Sequence, residues 1–130
     1  MRNSAALHIT IFVCAIAFGA VCLSADTNQG QAAFEKRCSG CHSLDTAKEG
    51  PPLRGVFGRR AGKVEGFRYS DGLKSSQFNW DETSLDTWLT DPESVVPDAD
   101  MAFRLSDKAT RSKIIEIGRA SCRERVCVPV

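Results

Sequence analysis

Cys38-Ser39-Gly40-Cys41-His42 puts two thiols and an imidazole within five residues. Two cysteines three apart, followed at once by a histidine, form the C-x-x-C-H pattern of covalent haem attachment. Each thiol can add to a vinyl group on one edge of the porphyrin, and the adjacent imidazole can reach the iron from one face. The spacing is short because both sulfurs and a ring nitrogen must meet one rigid macrocycle. Ser39 and Gly40 are small and leave its edge room. Two other chemistries use C-x-x-C, a thioredoxin-like redox pair and half of a zinc site. The first needs βαβ patterning, which the sequence lacks. The second needs further ligands. The other histidine, His8, and the pair Cys14 and Cys22 lie near the start of the chain, and Cys122 and Cys127 lie in its last nine residues. One covalently attached haem c therefore leads.

A haem held from one side by His42 leaves a second axial position. Apart from Met1, Met101 is the only methionine. Its thioether is soft and suits reduced iron, and His/Met ligation raises the reduction potential. A lone methionine is also a common core filler. Met101, however, stands in the proline-led loop Val95–Phe103, 59 residues after His42, where a flap could close the far face of the cofactor.

Behind these residues stands a chain of 130 residues, for which one domain is the expectation. Its 42% hydrophobic and 25% charged content is that of an ordinary globular protein. Residues 26–115 carry 13 Lys+Arg against 14 Asp+Glu, with no basic stripe, which excludes a nucleic-acid binder and gives no sign of steering toward a strongly charged partner. Arg2, the mostly apolar Ala5–Leu23 and the small residues around Cys22–Ala25 read as an export signal over residues 1–25. An uncleaved anchor is the alternative, since about 20 apolar residues span a bilayer. The polar Asp26-Thr27-Asn28 that follows favours cleavage and a periplasmic protein.

The elements that must place the motif are short. Asp26–Arg37 is expected to be a helix capped by Asp26, Thr27 or Asn28. Gly30 and Phe34 share one face of it, and the glycine would admit a second helix closely. Ser43–Gly72, rich in glycine and proline, reads as one long loop. Such a loop suits a compact domain only if it wraps a large group that acts as core. Leu53, Val56, Phe57, Phe67 and Tyr69 are its apolar contacts. Asp81–Thr90 reads as a helix with an acidic first turn and the buried stripe Leu85, Trp88, Leu89, stopped by Asp91-Pro92. Ser106-Asp107 can cap a last helix through Ile114 and Ile115. Gly118 is expected to break it. The run Glu116–Val126 resembles the conceptual translation of a widely used sequencing adapter, so residues 116–130 are read as an aberrant tail, an assembly artefact beyond a domain of residues 26–115.

Taken together, these motifs resemble class I cytochrome c, of the bacterial c2 or mitochondrial-like type. The resemblance rests on Cys38–His42, Gly50–Arg59, Gly66–Asp71, Trp80, Leu85–Pro92 and Pro97–Phe103, in that order and spacing. It implies an all-α cytochrome c fold of three to five short helices, with long loops wrapped around the haem. It implies His42 and Met101 as axial ligands. Pro51 would supply the carbonyl that accepts the N–H of the iron-bound imidazole, fixing its tautomer. Arg59, Tyr69 and Trp80 would be buried partners of the propionates. Trp88 falls where the family usually has a pocket tyrosine. With Ala99 and Leu73 also replacing polar residues, the distal side is expected to be drier and less hydrogen-bonded. Ile117-Gly118 stands where the family has an aromatic-Leu pair facing the Gly30 and Phe34 equivalents.

The function implied is that of a one-electron carrier, not an enzyme: a monomer serving respiratory redox proteins such as a quinol-oxidising complex, a terminal oxidase or a periplasmic dehydrogenase. Membrane attachment would follow only from an uncleaved leader. The rival is a haem peroxidase or gas-binding protein with a displaceable Met101, although no His, Arg or Glu set for peroxide cleavage is recognisable. A third reading is the electron-entry subunit of a dehydrogenase.

Overall fold

The computed structural model describes the backbone of residues 21–123 and the side chains of residues 28–120. The expected export signal therefore lies almost wholly outside the described residues, and so do the Cys122 and Cys127 side chains. Five α-helices are described: α1 (Val21–Arg37), α2 (Asp71–Ser75), α3 (Glu82–Thr90), α4 (Pro92–Val95) and α5 (Lys108–Arg123). Among the described residues there is no strand, only the isolated antiparallel bridge between Arg60 and Asn79. The fold is the expected all-α one.

The first and last helices form the brace. They cross at Gly30, where a Cβ would meet the Lys113 carbonyl oxygen at 2.5 Å and Ile117 Cγ2 at 2.7 Å. Glycine is the residue whose backbone allows that approach, as its place beside Phe34 led us to expect. Two boundaries differ from expectation. α1 already covers Val21 onward, so Asp26, Thr27 and Asn28 lie inside it rather than capping it. α5 runs through Gly118 to Arg123 instead of breaking there. A mid-helix glycine costs about 1 kcal/mol relative to alanine, a penalty that flanking turns can absorb. The expected cap of α5 is present: Asp107 Oδ2 accepts from Thr110 N at 2.8 Å, and the Thr110 hydrogen bonds hold this carboxyl below the usual carboxylate range.

α3 starts with a reciprocal cap. Asp81 Oδ1 accepts from Ser84 N at 2.7 Å, and Ser84 Oγ accepts from Asp81 N at 2.8 Å. The chain leaves α3 at Asp91, and Pro92 then opens α4 at its first position, where a missing N–H costs nothing. Proline thus ends one helix and starts the next. α2 is a single turn with Ser70 Oγ accepting from Leu73 N at 3.4 Å. Both one-turn helices are too short to carry a periodic signal.

Between His42 and α2 the chain is a loop, as expected. It doubles against residues 78–80 through Ala61 N to Phe78 O at 3.0 Å and Trp80 N to Arg59 O at 2.9 Å. Gly62 turns it with a φ of +66°, at a place where a Cβ would collide with the Leu73 carbonyl. The packed centre is small. Trp80 sits edge-on between Phe78 (centroids 4.9 Å) and Trp88 (5.2 Å), with Ala61 and Val96 buried beside them. Most of the remaining apolar side chains face a cavity of about 770 Å³ rather than one another. Protein interiors are close-packed, with few voids larger than a water molecule, so a cavity this large in so small a domain is a seat for a large group.

Candidate cofactor site

All nine residues singled out from the sequence line this one cavity: Cys38, Cys41, His42, Pro51, Arg59, Tyr69, Trp80, Trp88 and Met101. The proximal wall begins where α1 ends. Cys38 N and Ser39 N both reach back to the Phe34 carbonyl, at 2.8 and 3.2 Å, and His42 N closes on the Cys38 carbonyl at 2.9 Å. This tight turn puts the two thiols at the mouth and sends the imidazole inward. Cys38 is half-buried and Cys41 exposed. Burial first, then the nearby Cys41, pushes the Cys38 thiol pKa up.

His42 Nδ1 lies 2.9 Å from the Pro51 carbonyl oxygen. A carbonyl can only accept, so Nδ1 carries the hydrogen and, in the neutral ring, Nε2 keeps the lone pair. The ring also rests directly on Gly50, where any Cβ would overlap it. Tautomer and orientation are thus both fixed by the Gly50-Pro51 pair. The sequence marked Pro51 but missed Gly50 as the seat of the ring, although the adjacent Gly-Pro was the available signal.

Met101 lines the same cavity. Trp88 Nε1 donates to its Sδ at 3.2 Å. The expected loss of hydrogen bonding on this side is therefore corrected: Trp88 brings an indole N–H where a hydroxyl was expected to be missed. The donor ties down the thioether side chain, and Leu73, Leu85 and Leu89 complete an apolar surround.

At the third side, Tyr69 and Trp80 are buried, with 8% and 7% exposure. Arg59 is only half-buried, a departure from the expectation of a buried guanidinium. It donates from Nη2 to Pro52 O at 2.9 Å and from Nη1 to Arg54 O at 3.2 Å, so its charge is held in place by backbone carbonyls. Burial raises the Tyr69 pKa, against a backbone hydrogen bond at Val64 and the Arg59 charge. The phenol stays protonated and able to donate.

An imidazole nitrogen and a thioether sulfur lining one cavity, with apolar side chains and a guanidinium in the same lining, make a donor set that fits a haem and its carboxylates. The comparisons agree. The family model described as Cytochrome c matches residues 27–108, and the chain belongs to the cytochrome c family, whose cofactor is covalently bound haem c. It is 38% identical over 95 residues to the cytochrome c-type cyt cy of Rhodobacter capsulatus, covering 72% of this chain but only 48% of that protein, so the chain spans about half that relative's length. It is 40% identical over 93 residues to cytochrome c2 of Rhodoblastus acidophilus, covering 68% of this chain and 86% of that one. Among solved structures, cytochrome cH from Methylobacterium extorquens superposes with a TM-score of 0.68 at 36% identity, covering 72% of this chain and 97% of that one.

Proposed function

We propose that the chain is a monohaem one-electron carrier of the periplasm, with His42 Nε2 and Met101 Sδ as the two axial ligands. The observation that carries this reading is the pair of donors lining one cavity, each oriented by its own hydrogen bond: His42 by Pro51 and Met101 by Trp88. Bound haem supplies a one-electron Fe(III)/Fe(II) couple. Cys38 and Cys41 would hold it at the mouth by thioethers, each S–H adding across one vinyl C=C. Arg59, Tyr69 and Trp80 would stabilise the propionates, with Arg59 allowing a poorly solvated carboxylate to remain ionised. With both axial positions taken, substrate has no ready access to the metal. The lining residues Leu73, Leu85, Trp88 and Leu89 supply no acid or base for peroxide cleavage, which favours a carrier over the peroxidase or gas-binding alternative. Leu44 and Phe103, 44% and 38% exposed, both line the cavity and give an apolar rim to its opening. A respiratory redox protein, such as a quinol-oxidising complex, a terminal oxidase or a periplasmic dehydrogenase, would meet the monomer there.

Two measurements follow. Potentiometry of the holoprotein should give a single reversible one-electron wave, and the reduced form should leave carbon monoxide unbound at neutral pH. Ready carbon monoxide binding would replace the carrier with a ligand-binding protein. Separately, Trp88→Phe removes the N–H but keeps an aromatic ring. An N–H directed at sulfur withdraws electron density and favours the reduced iron, so its loss should lower the potential. A hydrogen bond of roughly 1 kcal/mol corresponds to about 40 mV for one electron. An unchanged or higher potential in Trp88→Phe would remove Trp88 from this role.

A further inference from the structure

Met101 stands in a stretch without regular structure whose two ends are pinned and whose middle is exposed. At one end Val96 is 3% exposed, and its N–H reaches the Pro92 carbonyl at 3.0 Å. At the other, Leu105 is 6% exposed, and its N–H reaches the Leu89 carbonyl at 2.7 Å. Between them, Pro97, Asp98, Asp100, Ala102, Phe103 and Arg104 are all exposed. The segment is a loop anchored at both ends, free to act as a flap.

The second anchor carries an unusual bolt. Arg111, on the first turns of α5, is the one charged residue among the buried described side chains, with 6% exposure. Its Nη1 donates to the carbonyls of both Leu105 (2.8 Å) and Ser106 (2.9 Å). Its Nε donates to Asp86 Oδ1 at 2.8 Å, and Nη2 reaches Oδ2 at 3.5 Å. Asp86 belongs to α3, two residues before Trp88, whose indole holds the Met101 sulfur. One guanidinium thus ties three things together: the exit of the flap, the helix that carries the sulfur's donor, and the terminal helix. Its planar fork is needed for this, since a lysine ammonium is a point charge that cannot serve two carbonyls and a carboxylate in a fixed plane.

We infer that Arg111, paired with Asp86, is a positioning residue for Met101, setting how readily the flap swings open and the thioether leaves the metal. The inference rests on Met101 being a ligand, as proposed above. Without Arg111, Leu105 O and Ser106 O lose charge-assisted donors in a water-poor setting, and the closed flap loses the difference. The open state, competent for an outside ligand, then becomes more populated, and apparent affinity for that ligand rises by the same factor.

The test uses free imidazole as the competing ligand on the oxidised, exported holoprotein at neutral pH. Its binding is followed by loss of the methionine-to-iron charge-transfer band. Arg111→Gln should bind imidazole about tenfold more tightly than the wild type, with helical circular dichroism retained at the same pH. Asp86→Asn leaves the two carbonyl bonds in place and should shift affinity in the same direction by a smaller factor. Arg111→Lys should fall between Arg111→Gln and wild type. Wild-type imidazole affinity in Arg111→Gln, or loss of the band only where circular dichroism is also lost, would overturn the inference while leaving Met101 as ligand intact. Absence of the band in the wild type would instead remove the ligand reading, and the inference with it.

Discussion

Met101→Ala is expected to abolish the methionine-to-iron charge-transfer band and to lower the reduction potential by on the order of a few hundred millivolts. Axial ligands and their surroundings set haem potentials over a span of roughly 0.8 V, and loss of the thioether removes the ligand that favours the reduced state. Trp88, Leu73, Leu85 and Leu89, which line the same cavity, cannot ligate iron. The variant should therefore become open to carbon monoxide in the reduced form. It should also be less stable, by about 2–5 kcal/mol, because Met101 packs against the buried cluster around Trp80, Trp88 and Val96. Retention of the band in Met101→Ala would show that another group ligates.

The second large effect is at the mouth. Cys38→Ala together with Cys41→Ala should yield a polypeptide with no haem surviving denaturation and extraction. The consequence extends to the whole fold. Most apolar side chains outside the small central cluster line a cavity of about 770 Å³, and without the cofactor they lose their packing partner. The small tryptophan-centred cluster cannot offset that, so the double variant should lose most of its helical circular dichroism. Covalent haem persisting in it, seen as haem stain on a denaturing gel, would contradict the role of the two thiols. Full helicity without haem would show instead that the fold supports itself.

What was legible in the sequence was whatever local spacing dictates. Cys38, Cys41 and His42 declare their chemistry in five residues, and Met101 followed by elimination. The glycine-rich stretch before α2 announced itself as a wrapping loop by its inability to be anything regular. Gly30 was readable as a helix crossing because glycine on a helix face has few other uses. Arg59, Tyr69 and Trp80 were different. No local rule assigns an arginine or a ring to a cofactor's carboxylates, and only the resemblance to a family placed them. The cavity does bring them together, though with Arg59 less buried than expected.

The misses share a physical cause. α2 and α4 are single turns, below the length at which periodicity appears. Gly118 looked like a helix breaker because propensity is a weak prior, and contact of α5 with α1 overrides it. Even so, a Cβ at Gly118 would find only Val56 Cγ1, at 3.9 Å, so that turn of α5 leaves space beside the cavity. Trp88 was read for the hydroxyl it lacks rather than the N–H it brings, which only a distance could decide. Arg111 gave no signal, since its partners lie up to 25 residues away and two of them are backbone carbonyls.

The claim that most depends on these side chains is that the site is closed from both faces, by His42 and by Met101. The most direct test is the optical spectrum of the wild-type holoprotein in both oxidation states. A low-spin, six-coordinate spectrum in each, with the methionine-to-iron charge-transfer band in the oxidised form, is the expected result. A high-spin spectrum in either state, or an oxidised form without that band, would contradict it.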